Sequence, residues 1–79
     1  MTEHKVTIYS TPTCVYCRLA KQFFKENNVK YAEYDVANDH AKAEEMIERS
    51  GQMGVPVIEI DGKIIVGFDK PSIKQALGL

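Results

Sequence analysis

The sequence predicts an α/β fold with the element order β-α-β-α-β-β-α, and three features carry that reading. A short β-rich run, Lys5-Val6-Thr7-Ile8-Tyr9, gives way through the loop Ser10-Thr11-Pro12-Thr13 to a segment with helical spacing, Val15 to Asn27. Near the C-terminus, Asp61-Gly62 separates two apolar runs, the signature of a hairpin with a type I′ turn. Between these lies a polar segment that opens on Asn38-Asp39 and closes on Gly51, with the cap residues of a helix.

Val6 to Tyr9 reads as a buried first strand. In the helix that follows, Val15, Leu19 and Phe23 recur every four residues with Ala20 and Phe24 beside them, an expected apolar stripe, and Asn27-Asn28 stops it. Val29 to Val36 alternates loosely and is expected to be the second strand. The second helix is expected to run to about Arg49, with Ala43, Met46 and Ile47 as its core contacts. Pro56 opens the third strand, Val57 to Ile60, and Lys63 to Val66 returns antiparallel to it until Gly67 breaks the strand. Asp69 is placed to cap a short last helix, with Pro71 in its first turn and Gly78 closing it. A strand-helix-strand start requires a right-handed crossover and a parallel pair.

At 79 residues the chain is read as one domain, residues 1–79, near the lower limit for a self-supporting core; such a chain buries only ~60–65% of the surface its unfolded form exposes. A hydrophobic content of 44% suits a globular fold. The net charge of −1 gives no footprint for nucleic acid or membrane. No apolar run approaches the ~20 residues of a membrane span, and Met1-Thr2-Glu3-His4-Lys5 has no signal-peptide core. The expectation is a cytoplasmic monomer, in a compartment that keeps thiols reduced.

Cys14-Val15-Tyr16-Cys17 is then the most informative stretch: a C-x-x-C where a strand gives way to a helix. The spacing puts one sulfur at an exposed helix N-terminus, where free backbone N–H groups and the helix dipole favour an anion, and the other one turn inside. The thiolate is the nucleophile in disulfide exchange. The expected division is that Cys14 attacks a substrate disulfide and Cys17, buried and less readily ionised, resolves the mixed disulfide. Arg18 and Lys21 add positive charge nearby. Three other readings of the pair stay open: half a zinc site, although neither His4 nor His40 has finger spacing; ligation of an iron–sulfur cluster shared between two chains; and two inert core cysteines. Two cysteines this close make a poor structural staple, since the closed loop removes little chain entropy.

With the C-x-x-C placed, nearly all of the chain resembles the glutaredoxin branch of the thioredoxin-like proteins. The resemblance rests on Cys14-Val15-Tyr16-Cys17, on Ser50-Gly51-Gln52-Met53-Gly54-Val55-Pro56 and on Gly67-Phe68-Asp69. It implies a four-stranded mixed sheet flanked by three helices, thiol–disulfide oxidoreductase activity, and a cis Val55–Pro56 bond facing the cysteines. It further implies that the Val55 backbone pairs with bound glutathione or peptide, and that Gly67, Phe68 and Asp69 hold the amino-acid end of glutathione. Tyr16 and Gln52 complete the implied binding set. Glutathione is the implied co-substrate, with no tightly bound cofactor and no resident metal.

The chain also departs from that pattern. Val15 stands where many glutaredoxins have proline. Thr11 replaces a frequent lysine, Met53 a frequent arginine and Gly54 a threonine, which leaves Gln52 as the main side chain of the set that holds glutathione's glycine carboxylate. The paired glycines of the family are reduced to Val66-Gly67, and its second acidic residue is Lys70. These changes resemble a second class, redoxins recharged by a flavin reductase that serve one partner such as ribonucleotide reductase. Tyr16 and Asp69-Lys70, in place of a glutamine and an arginine-proline, side with the glutaredoxins. A third possibility is a cluster carrier using Cys14. His4 and His40 are expected at the surface, as are the hydroxyls of Tyr9, Tyr31 and Tyr34.

Overall fold

The computed structural model describes residues 4–79. Its elements are β1 (Val6–Ser10), α1 (Val15–Glu26), β2 (Ala32–Asp35), α2 (His40–Ser50), β3 (Val57–Ile60), β4 (Lys63–Val66) and α3 (Lys70–Leu77). The four strands form one mixed sheet in the order β2-β1-β3-β4. β1 runs parallel to β2, with Tyr9 beside Tyr34, and antiparallel to β3, with Tyr9 beside Val57. β3 and β4 form the hairpin, and Val57 pairs with Val66. This is the thioredoxin-like arrangement expected of the order β-α-β-α-β-β-α.

Strand alternation divides the core between the two faces of the sheet. Val6, Ile8, Ile58, Ile60 and Ile65 project to the side covered by α1 and α3, where Phe23, Phe24, Ile73 and Leu77 meet them. Tyr9, Val57 and Ile64 project to the other side, against Met46 of α2. Glu59 also lies on the α2 side and forms an ion pair with Arg49.

Local chemistry ends each element. Asp39 caps α2 by accepting from the Lys42 N–H at 3.1 Å, and Asp69 caps α3. At the hairpin Asp61 (φ 52°) and Gly62 (φ 86°) both have positive φ, as a type I′ turn demands. His4, expected in open solvent, is partly buried and holds Asp61 at 2.5 Å. That contact keeps the Asp61 carboxyl below its usual range, helped by the Lys5 N–H.

Four further expectations need correction. The stripe of α1 is not Val15-Leu19-Phe23: the buried face is Cys17, Ala20, Phe23 and Phe24, whereas Val15 and Leu19 are exposed. A strict four-residue repeat drifts about 40° round the helix per step, because a turn takes 3.6 residues, so the series leaves the core face. β2 is shorter than Val29 to Val36, because Val29 closes the end of α1 instead, its N–H donating to Phe24 O at 2.8 Å. Tyr9 does not reach the surface; it is 2% exposed, and burial pushes its phenol up. In α2 Met46 is buried as expected, but Ile47 is 37% exposed.

Candidate active site

The strand order gathers three loops at one end of the sheet. Because β1 and β3 are antiparallel, the loop leaving β1 (11–14) and the one entering β3 (55–56) emerge together. The end of β4 lies beside the start of β3, which brings Gly67 to the same edge. The Gly67 N–H donates to the Pro56 carbonyl at 2.8 Å. Gly67 takes φ +80° to do so, a left-handed conformation that suits a residue without Cβ. The Val55–Pro56 peptide bond is cis.

Cys14 is itself the N-cap of α1. Its backbone is extended (φ −83°, ψ 117°), and its Sγ accepts the Cys17 N–H at 3.1 Å. One of the free amides of the helix's first turn therefore points at the sulfur, which is partly exposed. Upstream, the Cys14 N–H donates to the Thr11 carbonyl at 3.3 Å, which fixes the loop. Cys17 lies one turn inside and is 0% exposed. Burial and the adjacent Cys14 sulfur push its thiol up to about 12, against the opposing pull of the Thr11 backbone amide and Lys21. The two sulfurs are both free thiols and differ sharply in access.

Several large apolar side chains at this end of the sheet face solvent. Val15 and Tyr16 are each more than 60% exposed, Met53 is 78% exposed, and Val66 at the end of β4 is half exposed. Of the residues assigned by resemblance to glutathione, two have side chains engaged within the protein. Gln52 closes on Gly54: its Nε2 donates to the Gly54 carbonyl at 2.9 Å, and its Oε1 accepts the Gly54 N–H at 2.7 Å. Asp69 accepts from the Ser72 hydroxyl at 2.8 Å and from the Ser72 N–H at 3.4 Å. Phe68 is half-buried and packs edge-on against Phe23 at 6.2 Å. Val55 is half-buried beside the α2-side core. Among the described residues, no other group hydrogen-bonds the Val55 backbone N–H or C=O.

One feature of the site escaped the sequence reading. Ser10, 1% exposed at the end of β1, donates to Glu33 Oε2 at 3.0 Å, and Lys21 of α1 donates to the same oxygen at 2.8 Å. The available signal was the spacing of Lys21 four residues after Cys17, on the same helix face. Among the described residues no group of three His, Cys, Asp or Glu side chains is placed to hold a metal ion, and no helix is long and apolar enough to cross a membrane.

The arrangement offers a nucleophilic sulfur at a helix mouth, a second thiol beneath it, and an open edge where an extended segment can lie. Comparisons with known proteins agree with that chemistry. The Glutaredoxin family model matches residues 6–65. An uncharacterized glutaredoxin-like 8.6 kDa protein in the rubredoxin operon of Clostridium pasteurianum is 47% identical over 72 residues, 91% of this chain and 96% of that one. Glutaredoxin 3 of Escherichia coli is 44% identical over 64 residues, 81% of this chain and 77% of that one. In three dimensions the thioredoxin-like protein BC3987 superposes with a TM-score of 0.86 at 33% identity, covering 91% of this chain and 99% of that one. The chain belongs to the glutaredoxin family and is a thiol–disulfide oxidoreductase.

Proposed function

We propose that this chain is a dithiol reductase of protein disulfides and glutathione mixed disulfides, with Cys14 as nucleophile, Cys17 as resolving thiol and glutathione as co-substrate. The observation that carries the reading is the inequality of the two sulfurs: one partly exposed and capped by a helix amide, the other wholly buried. In the first step the Cys14 thiolate attacks a substrate disulfide, one sulfur of which leaves as a thiolate. In the second, Cys17 gives up its proton and attacks Cys14, the remaining substrate thiol departs, and a Cys14–Cys17 disulfide is left for a reductant to reopen. The working place is the reducing cytoplasm.

Substrate lies along the open edge. The free Val55 N–H and C=O pair with an extended segment, Pro56 and the Gly67–Phe68 turn form its floor, and Tyr16 and Met53 flank it. This rim favours a protein disulfide over glutathione. Thr11 and Met53 supply no cation for a glycine carboxylate, and Gln52 and Asp69 are engaged elsewhere. Each charge-assisted hydrogen bond that is missing costs ~1.5–3 kcal/mol of affinity. The same lack of a cation at Thr11 and Met53 favours one alternative, a redoxin recharged by a flavin reductase.

Turnover of a glutathione mixed disulfide with glutathione as sole reductant tests the reading. Measurable turnover with a high KM for glutathione is expected; no turnover, beside rapid reduction by a flavin reductase, would transfer the protein to the alternative. Cys14→Ser should abolish exchange on every substrate. Cys17→Ser should spare glutathione mixed disulfides while blocking protein disulfides, and equal loss on both substrates would contradict the assigned roles.

A further inference from the structure

The resolving step poses an electrostatic problem that the two cysteines do not solve by themselves. Cys17 must become an anion to attack, yet it lies in the interior, where a charge is costly without a partner. The helix amide at the mouth of α1 is directed to Cys14 Sγ, not to Cys17 Sγ. Lys21 follows Cys17 by four residues on α1, so the two side chains are neighbours on one face, with Cβ atoms about 5–6 Å apart. Its side chain is only 24% exposed. Glu33 of β2 anchors the ammonium at 2.8 Å, and Ser10 at the thiol end of β1 anchors the same Glu33 oxygen at 3.0 Å.

We propose that Lys21 is a positioning residue for the resolving step: held over the Cys17 face of α1 by Glu33 and Ser10, its ammonium stabilises the anion that Cys17 becomes. The inference rests on Cys17 being the resolving thiol. Glu33 is not the base that takes the proton, because Lys21 and Ser10 hold its carboxyl below the usual range, so it stays charged. The groups acting on Cys17 are consistent with this: the buried surroundings and Cys14 oppose ionisation, whereas the Thr11 amide and Lys21 favour it. The proton goes to solvent, and the departing thiolate takes one up.

An uncharged oxidant, 4,4′-dithiodipyridine, separates the two steps by stopped flow. Cys14 attack releases one thiopyridone and leaves a Cys14–pyridyl mixed disulfide. Cys17 attack on Cys14 then forms the Cys14–Cys17 disulfide and releases the second; two thiols are oxidised and one disulfide is reduced to two thiopyridones. Lys21→Gln should leave the first release unchanged and slow the second about threefold at neutral pH, the loss expected if the Cys17 thiol becomes about tenfold less ionised. The factor is threefold rather than tenfold because a less acidic thiol regains about half the loss in nucleophilicity. Lys21→Arg, which keeps the charge, should restore the second phase. An unchanged second phase in Lys21→Gln, equal slowing of both phases, or an Arg variant as slow as Gln would overturn the proposal. Cys17→Ser distinguishes the underlying assignment: it must lose the second release, and if it keeps it, the role of Cys17 falls rather than that of Lys21.

Discussion

Alkaline destabilisation of the reduced protein should report the buried Cys17 proton directly. In the folded chain that thiol is pushed up to about 12, whereas an unfolded cysteine ionises near ~8.5. Above the unfolded value the unfolded chain sheds a proton that the folded chain keeps, so stability falls as pH rises and is fully present only below that point. Each pH unit in the window costs about 1.36 kcal/mol. At pH 10 the cost is about 2 kcal/mol, a large fraction of the roughly 4–12 kcal/mol expected of a domain this size. The assay is urea unfolding in a non-thiol reductant between pH 7 and 10.5, for the wild type and Cys17→Ala. The raised Tyr9 phenol acts in both proteins and cancels. The wild-type curve should drop more steeply by about 2 kcal/mol at pH 10, and the oxidised protein should follow the Cys17→Ala slope. Parallel curves for reduced wild type and Cys17→Ala would refute the reasoning, since Cys17 would then ionise in the fold as freely as in the open chain.

Two further outcomes follow from the packing and the caps. Phe24 is 0% exposed between Phe23 and Tyr31, with ring centroids at 6.2 and 5.4 Å; Phe24→Ala should cost about 3–5 kcal/mol in urea unfolding, and Phe24→Leu clearly less. Asp69→Ala should cost about 1 kcal/mol through the lost cap of α3 while leaving the KM for glutathione within twofold, because its carboxylate already serves Ser72.

Much of the fold was legible because its punctuation is chemical. Asp39, Gly51, Asp61-Gly62, Asp69 and Gly78 each mark an end that the structure also marks. What periodicity misjudged was orientation: Val15 and Leu19 are apolar but exposed, and an exposed apolar residue reads in sequence like one in a core. The contrast between Cys14 and Cys17 could be read from their offset along a helix. Of the Ser10–Glu33–Lys21 link only the placement of Lys21 on the Cys17 face was legible, since the rest joins three elements through a parallel register that places Glu33 beside Ile8. Nor was the closure of Gln52 on Gly54, a loop geometry that residue identity does not specify.

In the proposed function the sulfur that caps α1 is also the sulfur that attacks substrate. As a thiolate it is a strong acceptor for the Cys17 N–H, and once tied into a disulfide only a weak one, so the opening turn of the helix loses part of its anchorage when that thiolate is oxidised and recovers it on reduction. Redox state and helix integrity are thereby thermodynamically linked: whatever strengthens that first turn in the thiolate form also makes the oxidised form a more willing electron acceptor.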